Sequence, residues 1–296
     1  MFEGVEIYQE EPLAPYTTLH LGGPAEFLAL PKNKNELILL LKHADSHGLP
    51  VHLLGGGSNL LISDAGVRGM VIHLAGDFNK VEVSESGDEV RVGSAFSFPK
   101  LTRLCLELGW EGALGWNGTP GLVGGALKMN AGTRLGELGA VVSSVEAATA
   151  EGSMLLTHEQ MGFSYRNTNF PAKAVLCSAH LVYRHAEPAK KAELLAKASD
   201  LAKRRKESQP KQRSAGSMFK NPPGDYAGRL IEACGLKGAR VGGAKISEVH
   251  ANFFVNDSHA SSKDMLELSQ MAQKKVYDEL GIKLEYEVRR WGFLEK

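Results

Sequence analysis

The sequence predicts an α+β fold divided into two or three domains. Three observations carry that expectation. Segments with the 3.6-residue period of amphipathic helices alternate with short runs of strand-like alternation. A length of 296 residues is enough to build more than one core. Two glycine-dense segments, Leu54-Gly55-Gly56-Gly57-Ser58-Asn59-Leu60 and Asn117-Gly118-Thr119-Pro120-Gly121-Leu122-Val123-Gly124-Gly125-Ala126, interrupt the periodic stretches.

Taken in order, Pro15 to Phe27 reads as a strand, a tight turn at Gly22-Gly23 and a second strand. Asn35 to His47 reads as a helix, because Leu37, Leu40, Leu41 and Ala44 share one face and Gly48 with Pro50 stops it. The first glycine segment follows as a loop between two strands, closing a small α/β unit near Leu74. Val81 to Val83 and Glu89 to Val92 flank Ser86-Gly87-Asp88 as a hairpin. Ser97 caps a helix with Pro99 in its first turn; Leu101, Leu104, Cys105 and Leu108 form its apolar face, and Gly109 ends it. Strands are expected at Val141 to Ala150, Met154 to Leu156 and Ala174 to Tyr183. Near Ala186 the pattern changes to a long helix with Leu194, Leu195, Ala198 and Leu201 on one face. Further helices are expected over Tyr226 to Cys234 and Ser262 to Leu280, the latter started by Ser261 with Asp264 and stopped by Gly281. Asn252 to Asn256 reads as a strand, and Ile282 to Arg289 alternates as a final one.

Composition excludes several classes. The 34 basic and 34 acidic side chains balance, which argues against a protein that holds nucleic acid by neutralising phosphates. Cys105, Cys177 and Cys234 have no metal-ligand spacing and suggest no disulfide framework. Neither a signal peptide nor a membrane-length apolar run is present, so a reducing cytosolic setting is expected.

Glycine lets a backbone turn at positive φ and present a row of N–H groups to an anion. One such loop is equally a glycine-rich hairpin. Two suggest one long phosphorylated ligand held along its length. The first loop is not a dinucleotide fingerprint of the Gly-x-Gly-x-x-Gly type, since Leu60 occupies the sixth position, and no Lys-Ser or Lys-Thr makes it a P-loop. Other candidates are weaker alone. Arg166, beside Tyr165 in a loop, also suits the capping of carbonyls. Ser217 follows Gly216 but lacks a hydrolase elbow. Glu285, Glu287 and Arg289 also suit a solvated strand face, and the basic end of the long helix, Lys203 to Lys206, also suits its dipole.

As an ordered set these motifs are specific. The two glycine segments, Met129-Asn130-Ala131-Gly132, Tyr165-Arg166, Gly216-Ser217-Met218-Phe219-Lys220-Asn221-Pro222, Ala227-Gly228-Arg229-Leu230-Ile231-Glu232 and Glu287-Val288-Arg289 follow one another from about Thr17 to Trp291. The set closely resembles the UDP-N-acetylenolpyruvoylglucosamine reductase (MurB) family of bacterial peptidoglycan synthesis. That resemblance implies the FAD-binding fold of the vanillyl-alcohol oxidase (PCMH) type, as two α/β subdomains at 1–75 and 76–186 plus an α+β substrate domain at 187–296. The short path from Arg166 to Ser217 resembles the subclass without a lid insertion. The implied activity is NADPH-dependent reduction of an enolpyruvyl nucleotide sugar, with FAD as cofactor. FAD would be held by Gly55, Gly56, Gly57, Ser58, Asn59 and Leu60, and by Gly118, Thr119, Pro120, Gly121, Gly124, Gly125 and Ala126. The resemblance gives Arg166 to the substrate carboxylate, Glu287 to work with it, and Ser217 as proton donor to C2, with Tyr165, Asn221 and Arg289 as substrate contacts. Arg205 and Lys206 are expected near the nucleotide diphosphate. Thr133-Arg134-Leu135 and Leu122 depart from the usual family pattern beside the flavin. Two alternatives stand beside this: another flavin oxidoreductase of the same fold, which would reoxidise rapidly in oxygen, and a nucleotide-sugar binding protein without catalysis.

Overall fold

The computed structural model describes residues 4–293. It is an α+β structure whose contacts divide the chain into two compact units. The first comprises the chain up to Tyr8, Phe27–Gly56 and Gly69–Lys203; the second comprises Gln9–Glu26, Gly57–Arg68 and Arg204–Lys296. Each unit is assembled from three separate stretches of sequence.

The first unit holds two cores. In one, the helix Lys34–Ser46 lays Leu37, Leu40 and Leu41 against Ala29, Met70, Ile72 and Phe78. Asn33 caps that helix by accepting the Glu36 amide at 3.0 Å. The neighbouring sheet runs in the order Glu6–Pro12, Pro24–Leu30, Val67–Ile72, Val51–Leu53. The other core lies on a five-stranded antiparallel sheet ordered Gly152–Thr157, Val142–Thr149, Val175–Val182, Glu89–Gly93, Val81–Val83. Phe98, Trp110, Trp116, Val123 and Leu127 fill it, together with Leu194 and Ala198 of the helix Lys191–Ser208. The helix Phe98–Glu107 starts at Ser97 as expected. It buries Leu101, Thr102, Cys105 and Leu106, so its apolar face is rotated away from the Leu104 and Leu108 edge.

The second unit packs the helices Ala227–Ala233 and Ser262–Leu280 on an antiparallel sheet ordered Arg213–Ser217, Phe253–Asn256, Ala244–Ile246, Arg240–Val241. Ser261 and Asp264 form the anticipated reciprocal cap, and Gly281 ends the long helix at φ +70°. Leu60–Ile62 pairs in parallel with Arg289–Trp291.

Two expected strands are corrected. Pro15 to Leu21 is a 3-10 turn over Ala14–Tyr16 followed by irregular chain. There the Thr17 hydroxyl donates to the Leu21 carbonyl at 3.0 Å and accepts the Leu21 amide at 3.2 Å. Local side-chain bonding has replaced a ladder. Ile282 to Val288 forms no strand of a sheet; a single bridge joins Tyr286 to Phe219, and Arg289 begins the short strand. The predicted alternation survives in burial, since Leu284 and Val288 are 1% and 2% exposed while Lys283 and Glu285 face solvent. Periodicity fixed the inward face and said nothing about the ladder partner.

Candidate active site

The strands on either side of the first glycine loop do not pair with each other. Val51–Leu53 lies parallel to Val67–Ile72, and Leu60–Ile62 lies parallel to Arg289–Trp291. The loop is therefore not a hairpin turn. Among the described residues, the amides of Gly55, Gly56, Gly57, Ser58 and Asn59 donate to no protein acceptor. Gly57 adopts φ +59°, and a Cβ there would sit 2.0 Å from the Tyr16 carbonyl oxygen. Only glycine fits.

The second glycine segment lies against the first within the first unit. A Cβ on Gly56 would come 2.8 Å from the Cα of Gly121, so the two backbones touch where neither has a side chain. Gly118 and Gly121 take φ +73° and +100°. The open sides are Gly55 and Gly125, where an added Cβ would meet nothing within 4 Å. Ser94 lines the base of this segment, its Cβ 3.1 Å from the position a Gly124 Cβ would take. Its Oγ is buried with no hydrogen-bond partner among the described residues. Within the first unit, the unpaired amides of Gly55 and Gly56, the open backbone at Gly55 and Gly125 and the buried Ser94 hydroxyl fit part of a diphosphate-bearing cofactor. Sequence patterns had not singled out Ser94; its signal is burial beside glycine, which only the fold reveals.

Arg166 stands in the first unit on a two-residue turn. Ser164 and Asn167 exchange amide-to-carbonyl bonds of 3.0 and 3.1 Å, and Arg166 occupies the turn at φ +55°. Its guanidinium donates to the Gly132 carbonyl at 3.0 Å and lies 5.0 Å from the ring centre of Tyr165, which is itself exposed. Asn130, 2% exposed, ties this turn to its surroundings. Its Nδ2 donates to the Ser164 carbonyl at 3.1 Å and to the Glu137 carboxylate at 3.0 Å, while its Oδ1 accepts the Gly139 amide at 2.9 Å.

Ser217 and Glu287 come together in the second unit. Ser217 ends the strand Arg213–Ser217, opposite Phe253 and just after Gly216 at φ +76°. The Glu287 amide donates to the Met218 carbonyl at 2.9 Å, and the Lys220 amide donates to the Glu285 carbonyl at 2.8 Å. Residues 218–220 and 285–287 therefore run side by side, with Ser217 and Glu287 half-buried on adjoining segments. Asn252 fixes the first of these segments, accepting the Phe219 amide at 3.0 Å and donating to the Phe219 carbonyl at 2.7 Å. Glu285, by contrast, points outward to Lys220 at 3.6 Å with its side chain 72% exposed.

Asn221 is exposed, and its Oδ1 accepts the Ala227 amide at 3.0 Å, starting the helix Ala227–Ala233. The Arg289 side chain is exposed and its amide donates to the Asn59 carbonyl at 2.9 Å. Arg205 and Lys206 lie in the last turn of the helix Lys191–Ser208. No cluster of three or more metal-ligating side chains occurs among the described residues, and none of the described helices is long and apolar enough to cross a membrane.

Known proteins resemble the chain over nearly its whole length. A profile described as FAD binding domain matches residues 25–157, and one described as UDP-N-acetylenolpyruvoylglucosamine reductase, C-terminal domain, matches 209–291. A UDP-N-acetylenolpyruvoylglucosamine reductase of Anaeromyxobacter sp. is 41% identical over 97% of this chain and 89% of its own length. A second, from Symbiobacterium thermophilum, is 42% identical over 97% of this chain and 92% of its own length. The crystal structure of the reductase from Thermus caldophilus superimposes with a TM-score of 0.82 at 39% identity, covering 97% of this chain and 98% of that one. At these identities over nearly the whole length of each chain, the chain belongs to the UDP-N-acetylenolpyruvoylglucosamine reductase family.

Proposed function

We infer that the protein reduces the enolpyruvyl ether of UDP-N-acetylenolpyruvoylglucosamine to the lactyl ether, a step of peptidoglycan precursor synthesis in the cytoplasm. Gly55 to Leu60, together with Gly118 to Gly121 and Gly124 to Ala126, would hold FAD. Bound there and reduced by NADPH, FAD would supply hydride chemistry to the substrate double bond. The chain's own residues handle the charge and the proton. Negative charge developing at C2 spreads into the adjacent carboxylate, where the fixed Arg166 guanidinium stabilises it. Glu287 orients that carboxylate together with Arg166. Ser217 delivers a proton to C2, which completes addition of H₂ across the double bond. A serine hydroxyl is a weak acid, but the carbon it meets is a strong base, so placement outweighs a matched pKa. Tyr165, Asn221 and Arg289 contact the substrate, and Arg205 with Lys206 attract its diphosphate. Residues 1–75 and 76–186 serve FAD, and 187–296 the nucleotide sugar.

The observation that supports this reading most is the backbone pairing of 218–220 with 285–287, which puts Ser217 and Glu287 on adjoining stretches of chain without a hydrolase elbow. Ser217→Ala tests it. NADPH should bleach the flavin at the wild-type rate, while reoxidation by the enolpyruvyl substrate slows by about two to four orders of magnitude. Equal slowing of both half-reactions would remove Ser217 from proton delivery.

A further inference from the structure

We propose that Asn59 is a positioning residue: its backbone amide is left for the cofactor diphosphate, and its side chain holds Glu287 in register. The Asn59 Nδ2 donates to the Glu287 carbonyl at 3.1 Å. Its own carbonyl accepts the Arg289 amide at 2.9 Å. Directly after it, Leu60, Leu61 and Ile62 pair in parallel with Arg289, Arg290 and Trp291.

Glu287 is thereby held at both of its backbone polar atoms. Met218 accepts its N–H at 2.9 Å and Asn59 donates to its C=O. A residue pinned at both ends of its peptide has little freedom in the direction of its Cα–Cβ bond. The direction of that bond is thus set by Met218 and Asn59 through the backbone of Glu287. The residue type is specific. Aspartate has the shape of asparagine but no donor for the Glu287 carbonyl, and alanine reaches nothing.

The five amides from Gly55 to Asn59 donate to no protein acceptor among the described residues. An anion that engages them orders the same loop from which Asn59 reaches Glu287. Cofactor occupancy and carboxylate placement are consequently coupled through one side chain. The inference rests on the assignment of Glu287 to the substrate carboxylate.

The test uses the flavin-loaded protein and its Asn59→Ala and Asn59→Asp variants, the second nearly isosteric so that folding is preserved. FAD retention, by the ratio of flavin to protein absorbance, and bleaching by NADPH are read for each variant, and the slowing of reoxidation should exceed any change in either. Reoxidation by the enolpyruvyl nucleotide sugar should slow about 10- to 100-fold, the scale of a misplaced catalytic group. In a double-mutant cycle, adding Asn59→Asp to Glu287→Gln should slow the reaction no further. Loss of FAD from Asn59→Asp in proportion to lost turnover, or additive slowing in the double variant, overturns the proposal. Wild-type turnover by Glu287→Gln alone would instead overturn the assignment of Glu287, and that of Asn59 with it.

Discussion

His250 shows how a single side chain supports the site without belonging to it. Its Nδ1 accepts the Asn252 amide at 3.2 Å, and Asn252 in turn holds Phe219 through two hydrogen bonds. Burial disfavours the charged ring and lowers its pKa from the ordinary 6.5. The folded chain therefore binds fewer protons there than the unfolded one. The stabilisation is present above the ordinary value and is lost as pH falls from about 6.5 through the folded value. The urea midpoint should decline over that interval in the wild type and decline less in His250→Phe; identical slopes would assign the acid sensitivity elsewhere. Arg166, Ser217 and Glu287 are candidates that the sequence itself offers, because their neighbours form ordered motifs. Asn130, Asn252 and Ser94 are not, because a buried asparagine or serine has no sequence signature until the fold supplies its partners.

The glycine loops were the most legible elements, and their joint geometry was the least. Three glycines in a row announce a tight backbone, but nothing in the order of residues announces that Gly56 meets Gly121. Gly56→Ala places a methyl group against that Cα, and backbone cannot yield as a side-chain tip does. A destabilisation of about 1–3 kcal/mol is expected, the range of an overpacked core site. Weaker FAD retention should accompany it, read by equilibrium dialysis and by thermal unfolding with and without added FAD. Full retention at unchanged stability would mean the loops move apart freely. Helices were predicted closely wherever a cap and a stop agreed, as at Ser261 with Asp264 and Gly281. The last alternating segment misled, since its amides and carbonyls are spent on Met218, Lys220 and Asn59 instead of a sheet.

The chain as a whole belongs to a family of flavin reductases, and each of its two units carries part of the proposed machinery. The first unit holds the touching glycine backbones and the Arg166 turn; the second holds Ser217, Glu287 and the Asn59 clamp. All three cysteines are free and buried, and burial pushes the Cys177 thiol up to about 12. None of them offers a competing redox couple. The protein passes reducing equivalents through FAD to an enolpyruvyl nucleotide sugar. An anaerobic spectral titration tests it most directly. The purified protein should carry the visible bands of oxidised flavin, lose them on adding one equivalent of NADPH, and regain them when UDP-N-acetylenolpyruvoylglucosamine follows. Bands that fail to bleach, or that return only when oxygen is admitted, would contradict it.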